Sequence, residues 1–169
     1  DALVLAINAS DQDAVSWLAA PYGTTLTVVR GGLHRASSVA YALAALPATD
    51  EANQEFIAVH DAARPLTLEA DIESVFQAAE KTGAAILAGP VTDTVRSLDT
   101  AQQLGPVIPR ETLVAAQTPQ VFRRTLLLQA YAAADDAALA TATDDAALVQ
   151  NLGVPVSLVW ATGANLKPV

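Results

Sequence analysis

Phe56-Ile57-Ala58-Val59-His60-Asp61-Ala62-Ala63-Arg64-Pro65, with the segment 68–81 and then Ala84-Ala85-Ile86-Leu87-Ala88 behind it, decides the fold. Four apolar residues run without interruption into a polar tip. Ile72, Val75 and Phe76 then recur at helical spacing, and a second short apolar run follows Gly83. Short runs bounded by turn residues on either side of a helical period make a strand–helix–strand unit of an α/β domain. Thr67 or Asp71 is expected to cap the helix, and Gly83 behind Lys81 to stop it.

The same alternation extends outward. Further strands are expected over residues 3–7, 26–29 and 156–160, and helices over 14–20, 38–46, 125–134 and 144–152. Repeated units of this kind predict one α/β domain over residues 1–169, three-layered around a mostly parallel sheet. The pattern breaks between Pro90 and Pro109, where residues 91–96 and 105–108 read as two short strands around the polar tip 99–103. A projecting hairpin arm over about residues 92–109 accounts for it. A lone two-stranded ribbon is marginal in water, so the arm is a natural dimerisation element.

Composition narrows the function. The chain has 169 residues, 52% of them hydrophobic and 16% charged, enough to bury a sizeable core. No run approaches the roughly 20 apolar residues of a membrane span, and a soluble intracellular protein is expected. There is no cysteine, which removes disulfides, thiolate nucleophiles and Cys-based metal sites. A formal charge of −9 argues against nucleic acid as a partner. Methionine is also absent, so the expectation is an incomplete or processed chain.

Five segments can carry chemistry. Gly31-Gly32-Leu33-His34-Arg35-Ala36-Ser37-Ser38-Val39 follows a strand and enters a helix; paired glycines allow close approach to a ligand, and Ser37 or Ser38 can cap the helix. An ordinary βα turn explains the same residues. Asp61 and Arg64 stand at the carboxyl end of a strand, where open α/β sheets place ligands. The aspartate can hold a divalent cation on a phosphate and the arginine can grip a phosphate bidentately; a loop-tying ion pair is the plainer reading. Gln117-Thr118-Pro119-Gln120-Val121-Phe122, preceded by Arg110, reads as a turn around proline, Thr143-Asp144 as a helix N-cap, and Lys167 in Asn165-Leu166-Lys167 as a surface charge.

In order and spacing these segments resemble the 2-C-methyl-D-erythritol 4-phosphate cytidylyltransferase family. Its pattern is Gly-Gly-x-x-Arg-x-x-Ser-Val, Val-His-Asp-Ala-Ala-Arg-Pro, Pro-Val-x-Asp-Thr, an arginine before Gln-Thr-Pro-Gln-x-Phe, a Thr-Asp pair and a terminal Asn-x-Lys. Every piece is present here between Gly31 and Lys167. The resemblance implies a Rossmann-like nucleotidyltransferase fold of the nucleotide-diphospho-sugar transferase type. It implies transfer of CMP from CTP to methylerythritol phosphate in isoprenoid precursor synthesis, with Mg2+.

Carried over residue by residue, it implies that Gly31, Gly32, Arg35 and Ser38 shape the cytosine pocket. Asp61 and Ala62 would meet the ribose and the triphosphate, with Asp61 on the metal. Arg64, Thr118, Thr143 and Lys167 would hold methylerythritol phosphate, while Thr94 and Arg110 reach that site from the partner's arm in a homodimer. Arg64, Arg110 and Lys167 would be the catalytic cations. The family opens with a Gly-rich loop bearing an arginine and a nearby Pro-Lys, and closes with a further helix. Neither is in this sequence, so the 169 residues alone are expected to bind CTP poorly.

Two other readings compete. Another polyol phosphate, such as ribitol 5-phosphate, would use the same scaffold, and a non-catalytic remnant would keep the fold without turnover. A dinucleotide-dependent dehydrogenase fails for want of Gly-x-Gly-x-x-Gly.

Overall fold

The computed structural model describes residues 2–11, 13, 15, 26–52, 54–163 and 165–167. The helix expected over 14–20 falls almost wholly outside them.

β1 (Leu3–Ile7) lies parallel to β2 (Leu26–Arg30), with Leu3 opposite Leu26 and Ile7 opposite Arg30. The chain turns through Gly31 and Gly32 into α1 (Arg35–Ala44), continues into β3 (Phe56–Val59), and then enters α2 (Glu69–Thr82). β4 (Ala84–Pro90) follows, buried for six of its seven residues, as an uninterrupted apolar run in a sheet covered on both faces should be. Next comes the hairpin of β5 (Val95–Leu98) and β6 (Leu104–Ile108), antiparallel and separate from the other sheets. Asp99 closes its turn by accepting from the backbone N–H groups of Ala101 and Gln103.

β7 (Val114–Arg123) returns to the body, followed by α3 (Arg124–Ala133), α4 (Asp136–Thr141), α5 (Asp145–Gln150) and β8 (Ser157–Trp160). The main sheet has the order β3-β7-β4-β8. β8 runs parallel to β4 and β7 is antiparallel to both of its neighbours, so β3, β4 and β8 run one way and β7 alone runs against them, a mixed sheet with mostly parallel strand directions. The segment read as a turn around Pro119 is thus the middle of a ten-residue strand. Proline donates no hydrogen bond and is tolerated in a sheet at an irregularity. Here the pairing shifts, with Ile86 opposite Gln120 but Ala88 opposite Ala116, and the Thr118–Pro119 bond is cis.

Side chains leave a strand alternately to its two faces, and the core divides accordingly. Ala85 and Val121 meet Val75 and Ala79 of α2 on one face. Ala84, Ile86 and Phe122 meet Leu43 of α1, Leu127 and Ala130 of α3 and Leu148 and Val149 of α5 on the other. The result is the expected three-layer α/β arrangement.

The expected caps differ from those observed. The N-cap of α2 is Leu68, which gives no side-chain cap, and Asp71 is buried and accepts instead from the N–H and hydroxyl of Thr162. Thr67 donates to Asn165. Neither Ser37 nor Ser38 caps α1, whose N-cap is His34; the Ser38 hydroxyl donates to the His34 carbonyl and accepts from the Gly32 N–H. Gly83 does stop α2, in the left-handed region at φ 87°, and Asp144 does cap α5 by accepting from Ala147. Among the described residues no helix is long and apolar enough to cross a membrane. A cavity of about 720 Å³ lies between β1 and β3, floored by α1 and ending at Arg35, His60, Asp61 and Ala62.

Candidate functional site

Strand register brings the first pieces together. Val59 pairs with Gln120, which sets the turn after β3 beside Thr118 of β7. The Asp61 N–H donates to the Thr118 hydroxyl at 2.9 Å, and His60 Nδ1 is 3.1 Å from the same oxygen. His60 Nε2 lies 3.1 Å from the Arg64 carbonyl. A carbonyl only accepts, so Nε2 carries the proton and Nδ1 receives the Thr118 hydroxyl's. Both ring nitrogens are engaged in shaping the 61–64 turn, which is closed by the Arg64 N–H on the Asp61 carbonyl.

The second piece comes from the far end of the chain. β8 runs beside β4 and carries the residues after it past α2. Asn165, buried, then donates to the Gln117 side chain and the Thr118 carbonyl, and accepts from Thr67. Its own carbonyl receives Arg64 Nη1 at 2.7 Å. With Asn165 pinned at four points, Lys167 reaches the Asp61 carboxylate at 3.0 Å.

The third is the Gly31–Ser38 turn. A Cβ on Gly32 would stand 2.3 Å from the Ser37 Cβ, and one on Gly31 3.2 Å from the Ile7 carbonyl oxygen, so the turn closes this tightly only on glycine. It delivers Arg35 at the first residue of α1, with Nε 3.8 Å from Asp61 and Nη2 2.7 Å from Asp145.

Asp61 is therefore ringed by three cations: Lys167 at 3.0 Å, Arg64 at 3.6 Å and Arg35 at 3.8 Å. Burial works to raise its carboxyl, but the hydrogen bond and charge of Lys167, with the charges of Arg35 and Arg64, outweigh burial and hold it below the ordinary range. With Asp145 counted, three cations face two carboxylates, a local excess of positive charge in a chain of net charge −9. Such a cleft grips anions carrying several oxygens.

The structure thus gathers Gly31, Gly32, Arg35, Ser38, Asp61, Ala62, Arg64, Thr118 and Lys167 around one cleft. Three other expected residues make no polar contact within this cluster. Thr143 is exposed, with no polar side-chain contact in the cluster. Thr94 and Arg110 are exposed at the base of the arm, where Arg110 donates to the Thr92 carbonyl and not to the Asp61 group. As for a metal, no group of three or more His, Asp or Glu able to hold one exists among the described residues. Asp61 supplies a single carboxylate, a donor set that suits a metal delivered on substrate phosphates rather than a preformed cage.

Sequence reasoning missed Asp145, Tyr131 and Gln120. Asp145 is fully buried and accepts from Arg35 and from the Tyr131 hydroxyl. The Gln120 side-chain oxygen Oε1 accepts from the N–H groups of Asp145 and Ala146, holding the start of α5 against β7. Doubled acids at Asp144-Asp145, of which Asp144 is the cap, and the second glutamine of Gln117-Thr118-Pro119-Gln120 were the available signals.

A family model for IspD, 2-C-methyl-D-erythritol 4-phosphate cytidylyltransferase, matches residues 1–168. A protein of that description from Salinibacter ruber is 44% identical over 169 residues, covering 98% of this chain and 68% of the relative. Another from Desulforamulus reducens is 41% identical over 146 residues, covering 86% of this chain and 60% of the relative, so the chain spans about three-fifths of that protein's length. The crystal structure of 2-C-methyl-D-erythritol 4-phosphate cytidylyltransferase from Thermus thermophilus superposes with a TM-score of 0.81 at 34% identity, over 99% of this chain and 75% of that one. A cleft that gathers the motif residues and a match from end to end lead to one conclusion: this chain belongs to the 2-C-methyl-D-erythritol 4-phosphate cytidylyltransferase family.

Proposed function

We propose that the polypeptide carrying this sequence transfers CMP from CTP to 2-C-methyl-D-erythritol 4-phosphate and releases pyrophosphate. The observation that carries the reading is the convergence of Arg35, Arg64 and Lys167 on Asp61, in the segments whose motifs match the family. A phosphate oxygen of the acceptor attacks the α-phosphorus of CTP, the bond from that phosphorus to the bridging oxygen breaks, and pyrophosphate leaves with the electron pair. A phosphate monoester is largely dianionic above its second pKa of about 6, so the attack needs no general base. The engagement of both His60 nitrogens within the loop agrees with that.

The Gly31–Ser38 turn takes the cytosine, Asp61 and Ala62 face the ribose and triphosphate, and Arg64, Thr118, Thr143 and Lys167 hold the acceptor phosphate. These residues position two polyanions and offset charge as it develops. A Mg2+ ion carried by the triphosphate would add charge neutralisation beside Asp61. Thr94 and Arg110 act on the neighbouring site of a homodimer joined through the arm, whose Leu98, Leu104 and Val107 are exposed apolar side chains. Residues 1–169 belong to a single domain with the arm at 92–109, working in the cytoplasm.

Pyrophosphate release by the full polypeptide tests the reading. CTP with methylerythritol phosphate should give turnover, and ribitol 5-phosphate at the same concentration little. Equal turnover with ribitol 5-phosphate would replace the substrate, and folded protein inert with both would sink the activity.

A further inference from the structure

Asp145 never reaches the mouth of the cleft, yet it makes the shortest of the contacts that fix Arg35. Its side chain is wholly excluded from solvent and its two oxygens divide their work. One accepts from Arg35 Nη2 at 2.7 Å, the other from the Tyr131 hydroxyl. Gln120, also buried, clamps the backbone from behind by accepting from the Asp145 and Ala146 N–H groups. Tyr131 is thereby held as a donor, since burial first, and then the charge and hydrogen bond of Asp145, push its hydroxyl well above the ordinary tyrosine range. Among the described residues Arg35 is the one cation that bridges this assembly to the mouth, with Nε toward Asp61 and Nη1 shielded and without a hydrogen-bond partner.

We propose that Asp145 and Tyr131 are positioning residues for nucleotide binding, acting through Arg35. They anchor the guanidinium from beneath, so that the first residue of α1 and the Gly31-Gly32 turn in front of it stay in register with Asp61. The inference rests on the reading that this turn takes CTP. Buried carboxylate–guanidinium hydrogen bonds are strong and directional, so their loss should loosen Arg35 rather than merely lower overall stability. Arg64 and Lys167 have separate anchors in Asn165 and Asp61, so the acceptor phosphate should be little affected.

The variants are Asp145→Asn and the milder Tyr131→Phe, each alone and combined with Arg35→Gln, in the full polypeptide. Asp145→Asn should raise the KM for CTP about tenfold and Tyr131→Phe a few-fold, with the KM for methylerythritol phosphate changed less than about threefold. In the Arg35→Gln background both effects should vanish, because the residue through which they act is gone. The Arg35 Nε–H signal in nitrogen-15 NMR should be sharp and slowly exchanging in the parent and broadened in Tyr131→Phe, a readout that needs no turnover. Equal changes in both KM values, effects that persist without Arg35, or an Arg35 signal indifferent to Tyr131→Phe would each overturn the proposal. A parent that shows the protected Arg35 signal but no turnover would contradict the assigned activity and leave the anchor standing.

Discussion

Asp61 and Gly32 illustrate two ways a single residue is fixed, by charge and by space. Because the folded-state carboxyl of Asp61 lies below its ordinary value of about 3.9, the stabilisation it supplies is complete above that value. It is lost as pH falls through the lower folded-state value. Thermal melts from pH 7 downward should therefore show a decline that Asp61→Asn reduces. At pH 7 that variant should be less stable by about 1–2 kcal/mol, between the exposed and buried limits for ion pairs, since Arg35, Arg64 and Lys167 then have only the Asp145 carboxylate among them. Gly32→Ala should cost about 1–3 kcal/mol through its clash with Ser37, and should weaken CTP binding measured by calorimetry. Asp61, Arg64 and Lys167 were legible as candidate site residues because their motifs stand in sequence. Asp145 and Tyr131 were not, because what makes them matter is burial against each other across 14 positions of sequence.

At the scale of elements, β3, α2 and β4 were readable because each obeys one period throughout, and Gly83 supplies the stop that its φ of 87° requires. Gly83→Ala should accordingly cost about 1 kcal/mol in denaturant unfolding while leaving KM values unchanged. β7 was unreadable for the opposite reason. Gln117, Thr118 and Gln120 are polar and Pro119 breaks the ladder, yet Thr118 and Gln120 are buried because partners from Asp61, Asp145 and Ala146 satisfy them. No local pattern announces a polar strand whose hydrogen bonds are supplied by distant loops. Asn165 is the counterpart from the other side of the cleft. Asn165→Ala should lower stability by about 1–3 kcal/mol and release Lys167, raising the KM for methylerythritol phosphate more than that for CTP.

Across the whole molecule, the three-layer body gathers cations from residues 35, 64 and 167 onto one carboxylate, while the arm holds Arg110 away from them. If the arm completes a neighbouring site, Leu104→Asp should shift the protein toward monomer in sedimentation and lower kcat, with the fold intact by circular dichroism. The most direct test of the cleft itself is steady-state pyrophosphate release by Arg64→Gln and Lys167→Gln, with each substrate varied at saturation of the other. Each should raise the KM for methylerythritol phosphate by about tenfold or more, with the KM for CTP within about threefold of the parent. Parent-like KM values for methylerythritol phosphate in both variants would contradict the account.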